Sequence, residues 1–549
     1  RDGRDQRSLV KRDWAFITNT SSSIVSRELP PNHQLLRVLR DGSADVALLR
    51  TDFVRRSGEL IGTTALRLDT RTGRSTSLAT GTPAAARNWL LDEQGQPQII
   101  TSLADGRQRV HVRAAQGDGW AEVAQFPAYL PSAGGYAPYA IGLDGQAYAV
   151  AASGRADGTS ALFALDRRTG QLAAKPMVSV QGFDFAGSLL SDQKTRQLIG
   201  VRYIGDAADT QWLDPDLQAL QKRIDARLRG TINRLDLAEC GCSRWVLVSS
   251  FSDRQPPIYT LYDRETDRLQ PIAAARPRIE SRRMASRDFQ RISARDGLEF
   301  PLHITRPAGP GPWPTVVLVH GGPFLRGGHW RWDAESQFLA SRGYLVLEPE
   351  FRGSAGYGQR LFRAGFKQWG LKMQDDMADA ARWAIAQGLA DPQRVCIAGG
   401  SYGGYATLMG LINDPALYRC GVAMAAVTDI GLLYSLAGSD LSDVWRQHGL
   451  PALVGSPKDD ATQLQATSPL QQAARLKQPL LLVHGTLDRR VPIEHFTRLR
   501  DALQAAHAPV ESVVYGDEGH GFIKPETRFE LWTRIERFLA QHLAGPDRR

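Results

Sequence analysis

The hydrophobic and polar positions of this chain follow different periods in its two halves. From about residue 20 to 275, short apolar runs at strand spacing are separated by turns rich in Gly and Asp. From about residue 290 to the end, apolar strand-like runs alternate with segments of helical period. The first pattern predicts an all-β region. The second predicts a doubly wound, mostly parallel sheet with helices on both faces.

Two helices stand out from their apolar spacing. The last one, about residues 526–543, places Leu531, Ile535, Phe538 and Leu539 on one stripe. The other, over residues 216–228, interrupts the first half and opens with Asp214-Pro215, a typical helix start. We interpret this second helix as a surface element packed on the edge of the β region.

A repeat runs through the first half. The segment L-D-T-R-T-G at residues 68–73 recurs as L-D-R-R-T-G at 165–170 and as Y-D-R-E-T-D at 262–267. Their aspartates are 97 residues apart both times, and a degenerate copy at residues 112–120 lies midway between the first two. The unit is therefore about 48 residues, the size of one four-stranded propeller blade.

Five such units can be counted, at residues 35–81, 86–128, 136–178, 183–230 and 231–275. Five is a low number for a closed propeller, and the chain begins without methionine, so we expect N-terminal blades to be missing. An Arg- and Pro-rich stretch over residues 274–290 predicts the boundary. The predicted domains are a β-propeller over residues 1–280 and an α/β-hydrolase domain over residues 281–549.

Composition excludes several classes of function. The 549 residues are 42% hydrophobic and 23% charged, as in ordinary globular domains. The net charge of +9 (67 basic minus 58 acidic residues) is scattered, without a basic run of five, so nucleic-acid binding is not expected. No apolar run reaches 18 residues, so no membrane span is expected. We predict a soluble protein, cytoplasmic or else periplasmic or secreted, and we leave the compartment open.

The four cysteines do not form a disulfide framework in a chain of this length. Cys396 and Cys420 lie in predicted strands and are most simply small buried hydrophobic residues. Cys240-Gly241-Cys242 could bind a metal or oxidise, but a lone C-x-C is weak support for either. Since no zinc-binding motif is present, we predict no catalytic metal and no cofactor.

The most informative motif is G-G-S-Y-G at residues 399–403. An apolar strand enters it and a helix is predicted to follow from Tyr402, which is the pattern of the nucleophile elbow in α/β-hydrolases. Ser401 would occupy strained backbone with its hydroxyl lifted clear of the sheet. Gly399 and Gly403 would let strand and helix approach closely. The alternative is a glycine-rich turn with a serine that has no chemical role.

A base and an acid follow in the order Ser, Asp, His. Asp488 comes after the apolar run 480–485, where a parallel strand would end, and His520 comes after the predicted strand 510–515 between two glycines. Ligands collect at the carboxyl ends of such strands. The spacings of 87 and 32 residues leave room for the intervening β–α steps.

An oxyanion hole is predicted from H-G-G-P at residues 320–323, which follows an apolar strand. The expected donors are the backbone N–H groups of Gly322 and of Tyr402, the residue after the nucleophile. We expect His320 to order its own loop. Other histidines and acids fit the roles of base and orienting acid less well: His329, His448, His484, His495, Asp429, Asp517 and Glu518.

These motifs, together with R-G-S-A-G-Y-G at residues 352–358 and H-G-T-L-D-R-R-V-P at 484–492, resemble the prolyl oligopeptidase family of serine peptidases. The H-G-G-P turn is most similar to its acylaminoacyl-peptidase branch. The resemblance implies that Ser401 attacks a peptide carbonyl, His520 moves the proton and Asp488 holds the imidazole. It also implies an acyl-enzyme intermediate and a propeller that restricts access to short peptides.

The resemblance further places Val427, Ile430 and Leu433 where the family builds its S1 pocket, which suggests an uncharged hydrophobic residue before the scissile bond. Ordinary core packing is nearly as good a reading of these three. Two features depart from the family. No adjacent Glu-Glu pair occurs in residues 1–280, which argues against dipeptidyl release, and Glu350 stands where relatives usually carry Asn.

The sequence therefore favours a serine oligopeptidase acting on short peptides. A carboxylic-ester hydrolase with the same triad remains an alternative, because fold and triad do not fix the acyl substrate. A propeller binding protein with an inactive hydrolase domain is a third reading. The sequence leaves peptide preference, exo- or endopeptidase action and homo-oligomer formation open.

Overall fold

A computed structural model describes residues 8–10, 28–39, 41–53, 60–114, 119–129, 134–238, 240–436 and 438–545. Across these residues an all-β part, through Ala274, is followed by an α/β part that begins at Ser286. We call them the propeller half and the hydrolase half. The predicted turn at Gly117-Asp118 lies outside the described residues. Within the described chain, no helix combines the length and the apolar character needed to cross a membrane.

The propeller half contains five antiparallel sheets that coincide with the five repeat units. Neighbouring strands in a sheet are also neighbours in sequence, as in a propeller blade. The strands are β1 (His33–Val38), β2 (Val46–Phe53), β3 (Leu60–Leu68) and β4 (Ser75–Ser77) in the first sheet; β5 (Ala86–Leu91), β6 (Pro97–Ala104), β7 (Arg107–Arg113) and β8 (Trp120–Pro127) in the second; β9 (Tyr136–Ile141), β10 (Ala147–Ala152) and β11 (Ser160–Leu165) in the third; β12 (Gly187–Ser191), β13 (Leu198–Ile204) and β14 (Ala208–Trp212) in the fourth; and β15 (Ile232–Leu237), β16 (Trp245–Phe251), β17 (Ile258–Asp263) and β18 (Arg268–Ala274) in the fifth.

The sequence repeat has a local structural cause. In the three clear copies the aspartate side chain accepts hydrogen bonds from the backbone N–H groups that follow it. Asp69 accepts from Arg71 and Thr72, at 2.8 and 3.2 Å, Asp166 accepts from Arg168 at 2.8 Å, and Asp263 accepts from Glu265 at 3.0 Å. An aspartate that bonds its own backbone two residues on builds a tight turn, so the motif marks the end of a strand in the first, third and fifth blades.

The helix predicted over residues 216–228 is α1 (Pro215–Arg227). Asp214 caps it by accepting from the N–H groups of Asp216 and Leu217. Its inner face buries Leu217, Leu220 and Ile224 in a cluster shared with β15 and β16. The helix therefore closes the outside of the fourth and fifth blades.

The hydrolase half is built on one eight-stranded sheet. Its strands are β19 (Ser286–Ser293), β20 (Glu299–Arg306), β21 (Trp313–Val319), β22 (Leu345–Pro349), β23 (Ala390–Gly400), β24 (Cys420–Met424), β25 (Leu480–Gly485) and β26 (Val510–Tyr515). Their order in the sheet is β19-β20-β22-β21-β23-β24-β25-β26. Pairing is antiparallel from β19 to β22 and parallel from β22 through β26, which confirms the predicted fold class.

Helices cover both faces of this sheet. They are α2 (Ala334–Ser341), α3 (Gln359–Ala364), α4 (Lys372–Ala386), α5 (Tyr402–Asn413), α6 (Leu432–Ser435), α7 (Leu450–Leu453), α8 (Ala461–Ala466), α9 (Glu494–Ala505) and α10 (Pro525–His542), with 3-10 turns at Ser281–Arg283 and Pro469–Arg475 and a π turn at Trp445–Gly449. One core lies against α4, α5 and α9, and the other against α2 and α10. In α10 the predicted residues Leu531, Ile535, Phe538 and Leu539 are all buried.

Polar contacts join the two halves near the carboxyl edge of the large sheet. The Asp184 carboxylate, between blades three and four, accepts from the N–H groups of Gly356 and Gly358 at 3.0 and 3.1 Å. The backbone N–H of Trp330 donates to the carbonyl of Asp206 in the hairpin between β13 and β14, at 2.7 Å. The propeller half therefore contacts two loops of the hydrolase half, one of which follows the H-G-G-P turn.

Candidate active site

Ser401 lies in the sharp turn between β23 and α5. Its φ of 59° and ψ of −119° are strained values for a residue with a side chain. The turn is possible because residues 399 and 403 are glycines. A Cβ on Gly399 would stand 2.5 Å from the carbonyl oxygen of Val319, and one on Gly403 would overlap the same atom. The local sequence thus forces the serine hydroxyl out of the sheet, as expected for a nucleophile elbow.

Ser401, His520 and Asp488 form a hydrogen-bonded chain. The His520 Nε2 lies 3.0 Å from Ser401 Oγ, and its Nδ1 lies 2.7 Å from Asp488 Oδ2. Because an ionised carboxylate only accepts, we assign the ring proton to Nδ1, which leaves the Nε2 lone pair facing the serine hydroxyl. Residues separated by 119 and 32 positions in sequence are thereby brought into direct contact.

The Asp488 carboxylate is fixed from both sides. Its Oδ1 accepts from the N–H groups of Arg490 and Val491, both at 2.9 Å, while Oδ2 faces His520. Burial acts to raise the pKa of Asp488, but the hydrogen bonds from His520 and the Val491 N–H outweigh it and the net pKa is lowered. The carboxylate therefore stays ionised and can stabilise a charged imidazole.

His484 and Glu518, which the sequence analysis set aside as base and orienting acid, support this arrangement instead. His484 Nε2 donates to the carbonyl of Val491 at 2.8 Å, and burial lowers its pKa. Glu518 accepts from the N–H groups of Ile523 and Lys524 at 3.0 and 3.1 Å and so closes the loop that carries His520. The supporting role of Glu518 was missed in the sequence because a loop carboxylate carries no motif.

The H-G-G-P turn borders the serine. A Cβ built on Gly321 would stand 3.4 Å from Ser401 Cβ and 4.0 Å from its Oγ, so this turn lies within contact range of the serine hydroxyl. Gly322 has a φ of 118° and is followed by a cis bond to Pro323. Tyr402 is the first residue of α5, where backbone N–H groups have no partner inside the helix. The two predicted oxyanion donors thus lie on the turn beside Ser401 and on the residue after it.

Val427, Ile430 and Leu433 are buried in the core shared with Tyr402 and Tyr405. Their side chains pack inside the hydrolase half, as the reading of ordinary core packing expected, and a contribution to an S1 pocket stays a prediction.

The aromatic residues that pack around Tyr402, next to the serine, were missed in the sequence. Tyr402 packs against Phe351, Trp369 and Tyr405, at ring distances of 5.3, 4.7 and 5.5 Å.

A cavity of about 430 Å³ lies between the two halves. Phe324, two residues after Gly322, forms part of its wall together with Phe362 and Trp445. Blades two and three supply the opposite wall, which includes Phe126 and Tyr136. The lining is aromatic on both sides.

The structure brings together no group of three or more metal-ligating side chains among the residues it describes. Cys240 and Cys242, left open between metal binding and oxidation, are bonded to each other as a disulfide in the fifth blade. Cys396 and Cys420 are free and buried in adjacent strands, as predicted.

Comparison with known proteins gives the family. The sequence model of the prolyl oligopeptidase family matches residues 330–546. Dipeptidyl aminopeptidase BIII of Pseudoxanthomonas mexicana is 34% identical over 424 residues, which are 74% of this chain and 60% of the relative. Dipeptidyl peptidase family member 6 of Caenorhabditis elegans is 32% identical over 357 residues, which are 60% of this chain and 47% of that protein.

Among solved structures, a puromycin-hydrolysing peptidase of Mycobacterium tuberculosis superposes with a TM-score of 0.72 at 20% identity. The match covers 95% of this chain and 80% of the other, and it shows that the two share a fold. The chain spans no more than about 60% of the length of the two curated relatives named above. By the match over residues 330–546 and the identity to these peptidases, the hydrolase half corresponds to the domain of the prolyl oligopeptidase family.

Proposed function

We propose that this chain is a serine peptidase that hydrolyses peptide bonds of short peptides through an acyl-enzyme intermediate. The observation that carries the proposal is the hydrogen-bonded chain from Ser401 Oγ through His520 to Asp488. Its distances fall in the range that proton transfer between nucleophile and base requires. The match of residues 330–546 to the family model and the identity to a dipeptidyl aminopeptidase support the same reaction class.

In the proposed mechanism Ser401 Oγ attacks the scissile carbonyl carbon while His520 Nε2 takes its proton. Asp488 stabilises the resulting imidazolium without itself becoming protonated. The N–H groups of Gly322 and Tyr402 donate to the oxyanion of the tetrahedral intermediate. His520 then returns the proton to the leaving amine. Water, activated by the same base, hydrolyses the acyl-enzyme.

Restriction to short peptides is supported by the position of the propeller half. It contacts the loop that follows the H-G-G-P turn, and the aromatic cavity between the halves offers room for an apolar side chain of a bound peptide.

Dipeptidyl release is a second candidate, which the names of the two curated relatives favour. The chain lacks a Glu-Glu pair in its first 280 residues, which speaks against it. The hairpin between β13 and β14 does bring carboxylates of Asp206 and Asp209 to the side of the propeller that touches Trp330. Ester hydrolysis by the same residues is the remaining alternative.

Mass-spectrometric profiling of a mixed library of peptides under ~30 residues, free and N-acetylated, separates these candidates. Ser401→Ala serves as the control. Serine-dependent cleavage supports a peptidase, and removal of dipeptides from free but not acetylated peptides identifies dipeptidyl release. Hydrolysis of an aryl ester without any peptide cleavage would contradict the proposal in favour of an esterase.

A further inference from the structure

Glu350, the residue that departs from the family pattern, is buried directly behind the H-G-G-P turn. It follows β22 and is 1% exposed. Its two carboxylate oxygens accept from two successive backbone N–H groups, Gly327 at 2.9 Å and Gly328 at 2.7 Å. An ionised carboxylate can accept at both oxygens at once, so the pair of bonds holds this loop in a single position.

The loop held by Glu350 packs on His320. A Cβ on Gly327 would overlap Cδ2 of the His320 ring, so the backbone at this position lies against the imidazole. Glu350 Oε2 is itself 3.6 Å from His320 Nε2, which also faces Ser354 Oγ at 3.1 Å. Phe351 stacks on the other face of the ring, with centroids 4.5 Å apart. The imidazole is thus confined from three sides, and Glu350 and its neighbours supply most of the contacts.

The orientation of His320 fixes a peptide plane. Its Nδ1–H donates to the carbonyl of Gly321 at 2.7 Å. The bond between Gly321 and Gly322 is trans, and in a planar trans peptide the C=O and N–H groups point in opposite directions. Drawing the Gly321 carbonyl toward the imidazole therefore turns the Gly322 N–H away from it. That N–H is the one assigned to the oxyanion hole.

We propose that Glu350 is a positioning residue for the oxyanion hole: through the Gly327–Gly328 backbone and the His320 ring, it sets the direction of the Gly322 N–H. This inference rests on the proposed function, because it needs an oxyanion to form at that donor. Glu350 touches no reacting atom. Its effect should appear in the transition state, where the oxyanion develops, and not in the binding of the ground state.

The test compares Glu350→Gln with the wild-type protein. Glutamine keeps the length of the side chain, but only one of its two terminal atoms is an acceptor. In the position of Glu350 its NH2 group would face one of the two backbone N–H groups, of Gly327 or Gly328, and that hydrogen bond would be lost. We expect kcat on a serine-dependent substrate to fall 10- to 100-fold with KM unchanged within about 3-fold, since a misplacement of about 1 Å can cost 10²-fold. A peptide trifluoromethyl ketone, which forms an oxyanion on Ser401, should lose affinity by the same factor, while an unreactive peptide of the same sequence should not.

Gly327→Ala changes the other side of the contact between this loop and the His320 ring. It should also lower kcat, because the alanine Cβ would displace the ring. Asp192→Asn is the matched control. Asp192 is likewise a buried carboxylate that accepts from backbone N–H groups, those of Lys194, Thr195 and Gly241, but it lies in the propeller half. The kcat of the Asp192→Asn variant should equal that of the wild-type protein. Circular dichroism and the unfolding midpoint of each variant establish that it is folded.

A folded Glu350→Gln or Gly327→Ala protein with wild-type kcat and ketone affinity would overturn the positioning role and leave the proposed function intact. Equal losses in kcat, ketone affinity and peptide affinity would overturn it too, as a general distortion of the site. If wild-type Ser401 reacts with no peptide, ester or fluorophosphonate, the proposed function fails and the role of Glu350 fails with it.

Discussion

The two halves of this chain are stabilised in different ways. The hydrolase half is a single sheet covered on both faces, and its two cores draw residues from β20 near the start to α10 at the end. The propeller half is a row of separate sheets with small cores, and most of these draw on one blade or two adjacent ones. The stability of the propeller half is therefore approximately the sum of contributions from each blade and from contacts between adjacent blades. The stability of the hydrolase half depends on contacts between segments that are distant in sequence.

Among the described residues, the most buried arginine–carboxylate pairs lie in the hydrolase half. In the hydrolase half Arg352 is 3% exposed and donates to the fully buried Asp376 carboxylate, with Nη2 2.7 Å from Oδ1. Arg287, equally buried, pairs with Glu348. In the fifth blade Arg234 and Asp236 pair at 3.2 Å with half and a third of their side chains exposed. Only the first kind of pair leaves an uncompensated buried charge when one partner is removed.

The largest expected effect concerns the function of the hydrolase half. Ser401→Ala should lower kcat/KM by at least ~10⁴-fold, because the nucleophile, base and acid act as one unit. The free energy of unfolding should stay within about 0.5 kcal/mol of the wild-type value, as for other substitutions that remove no buried packing. Steady-state kinetics and urea unfolding check both statements, and residual activity above that level would mean that another residue is the nucleophile.

The next effect tests the contrast in buried charge. Arg352→Leu should destabilise the hydrolase half by about 3–5 kcal/mol, because it strands the Asp376 carboxylate away from solvent. Arg234→Leu in the fifth blade is the matched change at an exposed pair and should cost no more than about 1 kcal/mol. Urea unfolding followed by tryptophan fluorescence measures both. Similar decreases in the free energy of unfolding for the two variants would contradict the distinction between the buried pair and the exposed one.

Stability should also depend on pH through His495 in the hydrolase half. Burial lowers the pKa of His495 to about 4 in the folded state, and its usual value is 6.5. The unfolded chain therefore binds the proton first as pH falls from 6.5 to 4, and stability should decline across this window by up to about 3 kcal/mol. Above pH 6.5 the group makes no pH-dependent contribution.

The variant His495→Asn isolates this dependence. An asparagine oxygen can replace Nδ1 as acceptor for the Thr428 N–H, which lies 3.1 Å away, but it does not titrate. The slope of unfolding free energy against pH between 4 and 6.5 should become shallower than in the wild-type protein. Unchanged slopes would assign the pH dependence to other groups.

The smallest effect is expected in the propeller half. Asp69→Ala removes the turn hydrogen bonds to Arg71 and Thr72, but the turn is exposed and belongs to one blade. We expect a decrease in unfolding midpoint smaller than that of Arg352→Leu, with kcat unchanged. A loss of activity in this variant would show that the blades and the catalytic site are coupled more tightly than nearest-neighbour stacking allows.

Sequence patterns predicted local features of both halves well. The strands β25 and β26 have the predicted bounds, and α5 begins at Tyr402 as expected. These features were predictable because an apolar run, or a pair of glycines such as Gly399 and Gly403, determines the backbone conformation of the few residues around it. The order Ser401, Asp488, His520 could be read because each follows a strand of a parallel sheet. The role of a side chain was less predictable: Val427, Ile430 and Leu433 are buried in the core, as one of their two readings expected, and a contribution to an S1 pocket stays a prediction.

By itself, the sequence determined the blade repeat, the alternation of strands and helices, and the residue types gathered at the sheet edge, since turn chemistry and hydrophobic period are local properties. Only the tertiary structure decided that Glu350 lies behind the H-G-G-P turn, that Glu518 closes the histidine loop, and that Cys240 and Cys242 bond to each other. These contacts depend on where backbone N–H groups and side chains meet after folding. The spacing of residues in the sequence does not predict these contacts, because the donors that bond a buried carboxylate are determined by how the loops pack around it.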